Sequence, residues 1–261
     1  MIPTPGTDVT HRTALVTGGA RRIGRCIAEA LAQEGWNIAV HYAGSDSDAE
    51  KLVADLGTNG GRAVAIAADF ADPAAPAEVI AKATAALGPI GCLINNASIF
   101  ERDDIATATP DSWDRHMAIN LRAPFFLSQA FAAQVQAPAH GAIINIVDER
   151  VWHLTPHFAS YTISKAGLWA FTQTAALALA PRIRVNAVGP GPTLPSPRQT
   201  QAQFDAVAQA IPLQRATAPG EIAAAVRFIL AAPAMTGQMI ALDGGQHLGW
   251  GQVQNDNDPG E

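Results

Sequence analysis

The sequence has few cysteines, few charged residues and no excess of positive charge. Only two cysteines, Cys26 and Cys92, occur among 261 residues, and they form neither a metal-ligand spacing nor a disulfide framework. They predict reduced thiols in a cytoplasmic protein. Lys and Arg number 17 against 23 Asp and Glu, a formal net charge of −6, which argues against a nucleic-acid-binding surface.

Long apolar runs and a targeting segment are lacking as well. No apolar run approaches the roughly 18 residues that a membrane span needs, and residues 1–13 are polar, unlike a signal peptide. The seven histidines are scattered without an HxxxH or His/Cys cluster, so no metal site is predicted. By contrast, 48% of the chain is hydrophobic and only 15% is charged, which is ample for one large buried core.

Short apolar runs alternate with helical patterns along the chain. The predicted strands are 13–17, 36–42, 63–67, 91–95, 142–147, 183–188 and 238–242, and the predicted helices are 23–34, 48–56, 73–87, 110–135, 159–179 and 219–231. Apolar strands between helices indicate a parallel sheet covered on both faces, with right-handed crossovers. We therefore predict an α/β fold: a Rossmann-like, doubly wound parallel sheet of about seven strands with helices on both faces. It should form a single domain over residues 1–261 with a poorly ordered tail at 251–261.

A glycine-rich segment follows the first strand and opens the first helix. It reads Thr17-Gly18-Gly19-Ala20-Arg21-Arg22-Ile23-Gly24. Glycines at this place let the backbone turn sharply and approach a pyrophosphate, which then lies at the positive end of the helix. An ordinary glycine-rich turn is the alternative, but its position between a strand and a helix favours a nucleotide-binding loop.

The end of the second strand lacks the acid that NAD-dependent enzymes place on the adenosine ribose. Its sequence is Val40-His41-Tyr42-Ala43-Gly44-Ser45, without a carboxylate before Asp46. Arg21 and Arg22 supply cations that suit a 2′-phosphate, and His41 and Ser45 are additional candidate donors. The sequence therefore predicts NADP(H) rather than NAD(H), with solvated surface arginines as the alternative.

A tyrosine and a lysine lie four residues apart in the predicted helix 159–179, as Tyr161-Thr162-Ile163-Ser164-Lys165. Residues i and i+4 share a helix face, so the phenol and the ammonium can point at one crevice. A positive charge ~4 Å away at an effective dielectric constant of ~20 contributes about 4 kcal/mol, roughly three pKa units. Lys165 is therefore expected to lower the pKa of Tyr161 into a range useful for acid–base chemistry.

Four motifs in this order resemble the short-chain dehydrogenase/reductase family from Thr13 to about Gly245: TGxxxxIG at 17–24, Asn95-Asn96-Ala97, Asn120 and YxxxK at 161–165. The resemblance implies that Tyr161, Lys165 and Asn120 are catalytic and that Lys165 also holds the nicotinamide ribose. It implies an adenine contact for Asp69. The full set of cofactor residues that we predict is Gly18, Arg21, Arg22, Ile23, Gly24, His41, Tyr42, Ser45, Asp69, Phe70, Asn96, Ala97, Ser98, Tyr161, Lys165, Pro190 and Gly191.

Asp148 departs from the family pattern, which places a serine thirteen residues before the tyrosine. An ionised carboxylate only accepts hydrogen bonds and would raise the pKa of Tyr161. It therefore suits a substrate with N–H donors, or it is kept protonated by burial so that it donates. In this substitution the chain resembles the pteridine reductases and dihydromonapterin reductases.

This branch implies an NADPH-dependent enzyme that transfers a hydride to a pterin-like ring, with Tyr161 and Asp148 in proton transfer. The implied substrate contacts are Ser98, Phe100, Asp148 and Tyr161, where Phe100 stacks on the flat ring. Residues 193–200 are expected to form a mobile lid with 201–211. The pocket is also expected to include Trp152, His153 and His157.

Further expectations and alternatives concern the assembly and the reaction. The family resemblance implies a homotetramer built through the helices at 110–135 and 159–179, with a small molecule as substrate and no membrane or nucleic acid as partner. Two other functions stay open: a carbonyl reductase or alcohol dehydrogenase acting on a ketone or sugar, and a non-catalytic NADP(H)-sensing protein.

Overall fold

Seven parallel strands form the centre of the molecule in the computed structural model, which describes residues 8–58 and 61–249. The strands are β1 (Thr13–Val16), β2 (Asn37–Tyr42), β3 (Ala63–Ala67), β4 (Cys92–Asn95), β5 (Gly141–Ile146), β6 (Ile183–Pro190) and β7 (Met239–Leu242). They make one sheet in the order β3-β2-β1-β4-β5-β6-β7, and every neighbouring pair is parallel. The order reverses between β1 and β4, which places the ligand crevice of such folds there. The predicted doubly wound sheet is confirmed.

The helices are α1 (Arg22–Gln33), α2 (Asp46–Gly57), α3 (Ala75–Leu87), α4 (Pro110–Met117), α5 (Ala123–Gln134), α6 (Ala159–Leu179), α7 (Gln201–Ala210) and α8 (Pro219–Leu230). Side chains alternate across the sheet, so each strand feeds two cores. Val16 and Ile144 pack on one face with residues of α1 and α8, such as Ile27. Leu15 and Ile143 pack on the other face with residues of α3 and α5. Burial of both faces explains why the strands are apolar throughout.

The helix predicted over 110–135 is interrupted by a wide turn of π type at Ala118–Arg122, between α4 and α5. Pro124 has no N–H group, so it cannot donate to the carbonyl of Asn120 as a continuous α-helix requires. Such π turns occur frequently at functional sites, and this one contains Asn120. The other predicted elements agree with the structure within one or two residues, the α6 boundaries included.

Among the described residues, no helix combines the length and the hydropathy that a membrane crossing requires. Within the same residues, no group of three or more His, Cys, Asp or Glu side chains could hold a metal ion. The tail at 251–261, which we expect to be poorly ordered, lies outside the part of the chain that the structure describes.

Candidate active site

A cleft runs along the carboxyl edge of the sheet, where the sequence places the candidate residues. It consists of two cavities of about 360 and 280 Å³. They share Arg22, Ile23, Asn96 and Ser98 as lining residues, so they form one continuous cleft. The larger cavity is lined by Gly18, Arg21, Gly24, His41, Tyr42, Ser45, Asp69, Phe70 and Ala97. The smaller is lined by Phe100, Asp148, Tyr161, Lys165, Pro190 and Gly191. Every predicted cofactor and substrate residue thus lines the cleft.

The floor of the larger cavity is a glycine cradle at the start of α1. Gly18 adopts φ +59°, a conformation that costs side-chain-bearing residues strain. A Cβ atom on Gly24 would lie 2.2 Å from the Gly18 carbonyl oxygen, so only glycine fits there. The cradle leaves main-chain surface open at the N-terminus of a helix, as a dinucleotide pyrophosphate requires. These residues therefore fit the predicted nucleotide.

Thr17 and Asn96 clamp the cradle to the loop after β4. The Thr17 hydroxyl oxygen accepts hydrogen bonds from the backbone amides of Asn96 at 2.9 Å and Ala97 at 3.0 Å. In return, the Asn96 side-chain amide donates to the carbonyls of Thr17 at 2.8 Å and Gly18 at 3.1 Å. The Asn96 side chain therefore shapes the cleft. The buried role of Thr17 was missed from sequence, where it appeared only as the residue before Gly18.

His41 does not have the role predicted for it. It is 2% exposed, and its Nδ1 accepts from the Gly18 amide at 3.2 Å, which leaves Nε2 to donate to the Ala68 carbonyl at 3.1 Å. Its ring stacks on Phe70 with 4.1 Å between centroids. Burial lowers the pKa of His41 to about 4. The expectation that His41 donates to a 2′-phosphate is wrong, because both ring nitrogens already hold the cradle against β3.

Arg21 and Arg22 do not form a common fork. Arg21 is exposed, with its Nε 3.7 Å from an Asp48 carboxylate oxygen. The Arg22 guanidinium turns away from Arg21 and donates to the carbonyls of Leu194 and Pro195 at 3.1–3.3 Å. Only Arg21 therefore stands at the adenosine end of the cleft beside Tyr42 and Ser45. Arg22 instead ties the cradle to the segment predicted as a lid.

Tyr161 and Asp148 are joined by a short hydrogen bond. The phenol of Tyr161, on the first turn of α6, donates to Oδ2 of Asp148 at 2.6 Å. The other oxygen, Oδ1, accepts from the backbone amide of Arg150 at 2.9 Å, at the start of a short 3₁₀ turn (Glu149–Val151). Both carboxylate oxygens therefore act as acceptors. The predicted juxtaposition of Asp148 and Tyr161 is present, and the role of the Arg150 amide could not be read from its residue type.

The pKa of Tyr161 is shifted in the direction opposite to our expectation for Lys165. It lies well above the ordinary value of 10, raised first by burial and then by the negative charge of Asp148. Lys165 is 3% exposed, and its ammonium donates to the Ile146 carbonyl at 2.9 Å. Burial lowers the pKa of Lys165 to about 8, against a smaller opposing effect of Asp148. The expected lowering of the Tyr161 pKa by Lys165 is therefore wrong, because burial and Asp148 set the direction of the shift and the opposing charge is Arg150, not Lys165.

Asn120 is fully buried in the π turn and connects two walls of the site without lining the cleft. Its oxygen accepts from the Ile99 amide at 2.9 Å and the Ser98 hydroxyl at 3.2 Å. Its amide donates to the Ile99 carbonyl at 3.0 Å and to the Ser164 hydroxyl at 3.1 Å. Asn120 thus fixes the loop after β4 against α6 from behind the cleft wall, and its predicted catalytic role stays a prediction.

Phe100 forms part of the cleft wall but one of its faces is already covered. Its ring stacks on Phe158 with 4.3 Å between centroids and an interplanar angle of 9°, and it meets the Tyr161 ring edge-on at 4.7 Å. Arg198, from the predicted lid, lies within 6 Å of both phenyl centroids and donates to the Phe100 carbonyl. The structure therefore places Phe100 beside Tyr161, and it ties the predicted lid to both ends of the cleft through Arg22 and Arg198.

Trp152, His153 and His157 do not line either cavity. Trp152 packs edge-on against Trp169 and His247, and His157 bonds to the Asp104 carboxylate at 3.0 Å. The expectation that the three residues line the pocket is wrong, because the 3₁₀ turn after Asp148 carries this segment outward. Gln246, from the C-terminal end of the described chain, does line the cleft and has no counterpart in our predictions.

Comparisons with known proteins agree with this geometry. A family model described as enoyl-(acyl carrier protein) reductase matches residues 18–247. A 3-oxoacyl-(acyl-carrier-protein) reductase of Synechocystis sp. is 34% identical over 92% of this chain and 98% of the relative. Two solved structures named FolM alternative dihydrofolate reductase 1 are also similar, both in complex with NADP.

The FolM structure from Brucella suis is 44% identical, covers 91% of this chain and 96% of its own, and has a TM-score of 0.89. The FolM structure from Brucella canis is 41% identical, covers 94% and 98%, and has a TM-score of 0.87. Full-length matches of this kind, on a sheet that presents a glycine cradle and a Tyr161/Lys165 pair at one cleft, show that the chain belongs to the short-chain dehydrogenase/reductase family.

Proposed function

We propose that this protein is an NADPH-dependent reductase of a pterin-like ring, such as a dihydropteridine or folate. The observation that carries the proposal is the 2.6 Å hydrogen bond between Tyr161 and Asp148. It places a carboxylate where the family pattern has a serine. An acceptor at that position suits a substrate that presents N–H groups, and the amino and imino nitrogens of a pterin do so.

The cofactor proposal rests on the cleft and on the neighbours. Residues 40–45 at the end of β2 contain no carboxylate, and the next one, Asp46, hydrogen-bonds the Tyr42 side chain. Arg21, Tyr42 and Ser45 line the adenosine end of the larger cavity. They would hold a 2′-phosphate, while the glycine cradle would hold the pyrophosphate. Both FolM structures contain NADP. When bound, NADPH supplies the hydride.

In the proposed reaction, reduction of a C=N bond adds one hydride to carbon and one proton to nitrogen. Tyr161 has its pKa well above 10, so the phenol stays protonated at neutral pH, with its O–H donated to Asp148 at the wall of the smaller cavity. Asp148 accepts hydrogen bonds and orients both the phenol and a ring N–H. The Lys165 ammonium would hold the nicotinamide ribose when the cofactor is bound. Asn120 fixes the loop after β4 against α6.

A carbonyl reductase is the second candidate, because the Synechocystis relative is named as a 3-oxoacyl-(acyl-carrier-protein) reductase. A ketone offers only an acceptor oxygen to the site. Both Asp148 side-chain oxygens act as acceptors, and facing a ketone oxygen with another acceptor is unfavourable. The geometry of Asp148 therefore favours the pterin-like ring.

The test is NADPH oxidation, with NADH in parallel, against dihydrobiopterin, dihydrofolate and a panel of ketones that includes a 3-oxoacyl thioester. We expect turnover of a dihydropterin with NADPH and its loss in Tyr161→Phe. Turnover of ketones alone would assign the protein to the carbonyl reductases. Tight NADPH binding without turnover of any of these compounds would also contradict the proposal, and it would favour a cofactor-sensing protein.

We further propose that the whole chain acts as a single domain within a cytoplasmic homotetramer. Cys26 and Cys92 are both free thiols, as a reducing compartment requires. Large apolar side chains are exposed along α5 and α6, namely Phe125, Phe126 and Ile163, each at 42–44%. Exposed apolar clusters of this kind favour burial between subunits. Sedimentation equilibrium should give four times the 27.2 kDa chain mass; a monomer at micromolar concentration would contradict the proposal.

A further inference from the structure

A buried polar cluster lies behind the first turn of α6, outside both cavities of the cleft. It consists of Asp103, Ser112, His116 and Ser160. Asp103, His116 and Ser160 are each at most 4% exposed, although a carboxylate is rarely buried unless it is fully paired. No step of the proposed reaction uses any of the four. One of them, Ser160, directly precedes Tyr161 in the chain, so the cluster lies against the first turn of the helix that carries the tyrosine.

Asp103 accepts hydrogen bonds from backbone N–H groups at the start of α6, which have no acceptor within the helix. Its Oδ1 accepts from the Ser160 backbone amide at 3.0 Å, and its Oδ2 accepts from the hydroxyls of Ser160 and of Ser112, the latter at 2.9 Å. Its main-chain carbonyl accepts from the Ala159 amide at 2.9 Å. The residue at the cap position, Phe158, has no side chain that could do this. Asp103 thus caps α6 from a distant part of the chain.

The cap is connected to the loop that carries Phe100. His116 accepts from the Glu101 amide at its Nε2, at 3.2 Å, so its proton is on Nδ1. From Nδ1 it contacts the Ser112 carbonyl at 2.9 Å and the Ser160 hydroxyl at 2.7 Å. Glu101 directly follows Phe100, and Ser160 directly precedes Tyr161. A continuous chain of hydrogen bonds therefore links the residue after Phe100 to the residue before Tyr161. The rings of Phe100 and Tyr161 meet at the cleft.

The contact between Tyr161 and Asp148 depends on where α6 begins. Phe158 is held in the left-handed region at φ +58°, a strained conformation for an aromatic residue. Without a partner for the first amides of α6, relaxation of Phe158 would move the next three residues. A shift of about 1 Å is enough to break a short hydrogen bond and to disturb a reactive geometry.

We propose that Asp103 is a positioning residue: its carboxylate fixes the first turn of α6 and thereby places the Tyr161 phenol against Asp148 and Phe100 at the cleft wall. This inference rests on the proposed role of Tyr161. It does not depend on which substrate is reduced.

The test uses the fact that the chain has only two tyrosines, Tyr42 and Tyr161. In a Tyr42→Phe background, used for this titration only because Tyr42 lines the cofactor cavity, the near-ultraviolet phenolate signal reports Tyr161 alone; kcat and the Kd for NADPH are measured with Tyr42 in place. Asp103→Asn keeps the shape of the side chain but replaces one acceptor oxygen by a donor. Ser160→Ala removes one hydroxyl partner and serves as the milder second variant. Asp111→Asn, on an exposed position of α4, is the matched charge-removal control.

We expect Asp103→Asn and Ser160→Ala to lower the Tyr161 titration midpoint by about one pH unit or more, because the phenol leaves Asp148. We also expect kcat to fall at least ~10-fold while the Kd for NADPH stays within about twofold. Asp111→Asn should change none of these quantities. Variants that lose only thermal stability, with the Tyr161 titration and kcat unchanged at low temperature, would show a purely structural role and overturn the inference. If wild-type protein reduces no pterin but the Tyr161 titration still moves, the proposed function fails and the positioning role stands.

Discussion

The hydrogen bond between Tyr161 and Asp148 sets what each residue can do chemically. A phenol that is buried and hydrogen-bonded to a carboxylate holds its proton tightly, because ionisation would place two negative charges side by side. The positive charge that opposes this shift is Arg150, whereas the Lys165 ammonium donates to the Ile146 carbonyl and lies 5.8 Å from the centre of the Tyr161 ring. Tyr161 therefore stays protonated at neutral pH, and we propose that it gives its proton only to the strongly basic ring nitrogen that hydride addition creates, with the proton replaced from solvent.

Sequence spacing predicted which residues meet in the site, and that Lys165 and Asp148 would shift the Tyr161 pKa in opposite directions, but not which direction prevails. The i, i+4 relation of Tyr161 and Lys165 is a property of the helix and needs no tertiary information. The position of the Lys165 ammonium and its degree of hydration depend on the packing of β5 against α6. The same limit applies to His41, whose residue type suggested a phosphate ligand while its burial made it part of the core.

Lys165 gives the site a pH dependence that can be measured. Its pKa of about 8 in the folded protein lies below the unfolded value of about 10.4. The ammonium is therefore present below pH 8 and lost above it. Between the two values the unfolded chain binds more protons, so the contribution of Lys165 to stability rises with pH. We expect kcat to decline as the pH rises through about 8.

The measurement is kcat from about pH 6 to about pH 10, with Lys165→Arg as control. Arginine keeps its charge over this range. Any activity that Lys165→Arg retains should therefore not decline near pH 8. Tyr161 does not titrate in this range, because its pKa lies well above 10. A decline at the same pH in wild type and Lys165→Arg would assign it to another group and contradict the account.

At the scale of elements, the spacing of apolar residues and the positions of glycine and proline predicted most strands and helices to within one or two residues. The exceptions were the helix over 110–135, which is split at Asn120, and α7 (Gln201–Ala210), a helix where the sequence predicted only part of a mobile lid. Pro124 was a visible signal of a break, but its consequence, a π turn that points Asn120 toward the loop after β4, depends on the tertiary contacts of that turn. Likewise, the alternation of apolar residues could not show that the 3₁₀ turn after Asp148 carries Trp152 away from the cleft.

The start of α1 offers a direct test of how tightly the cradle is built. In Gly24→Ala, the new Cβ would lie 2.2 Å from the Gly18 carbonyl oxygen and 2.6 Å from the Asn96 side-chain amide. We expect a loss of about 2 kcal/mol or more in unfolding free energy and a weaker affinity for NADPH. Gly220→Ala in α8 meets nothing within 4 Å and should be neutral or stabilising by up to about 1 kcal/mol.

Urea denaturation of both variants, together with NADPH titration, makes this comparison. Equal stability and equal affinity in Gly24→Ala and wild type would mean that the cradle can move apart, and that the close approach of α1 to the β4 loop is not required for the cofactor site.

At the scale of the whole molecule, the order of strands and helices was enough to predict the sheet and the edge at which its ligands bind. Parallel strands with right-handed crossovers leave only that edge for a shared crevice, and every predicted cofactor and substrate residue lines it. Substrate choice is a different matter. The same scaffold occurs in relatives named for an acyl-carrier-protein substrate and in neighbours named for dihydrofolate, so the fold itself does not select between them.

We propose instead that one side chain, Asp148, selects the substrate. Replacement of Asp148 is the most direct test. The measurement is kcat/KM with NADPH for a dihydropterin and for a simple ketone, in wild type and in Asp148→Ser, which restores the residue of the family pattern. We predict that the ratio of pterin to ketone efficiency falls at least ~10-fold in the variant, because the acceptor for the ring N–H is removed. A ratio that stays the same while both efficiencies change together would contradict the assignment of Asp148 as the group that recognises the ring.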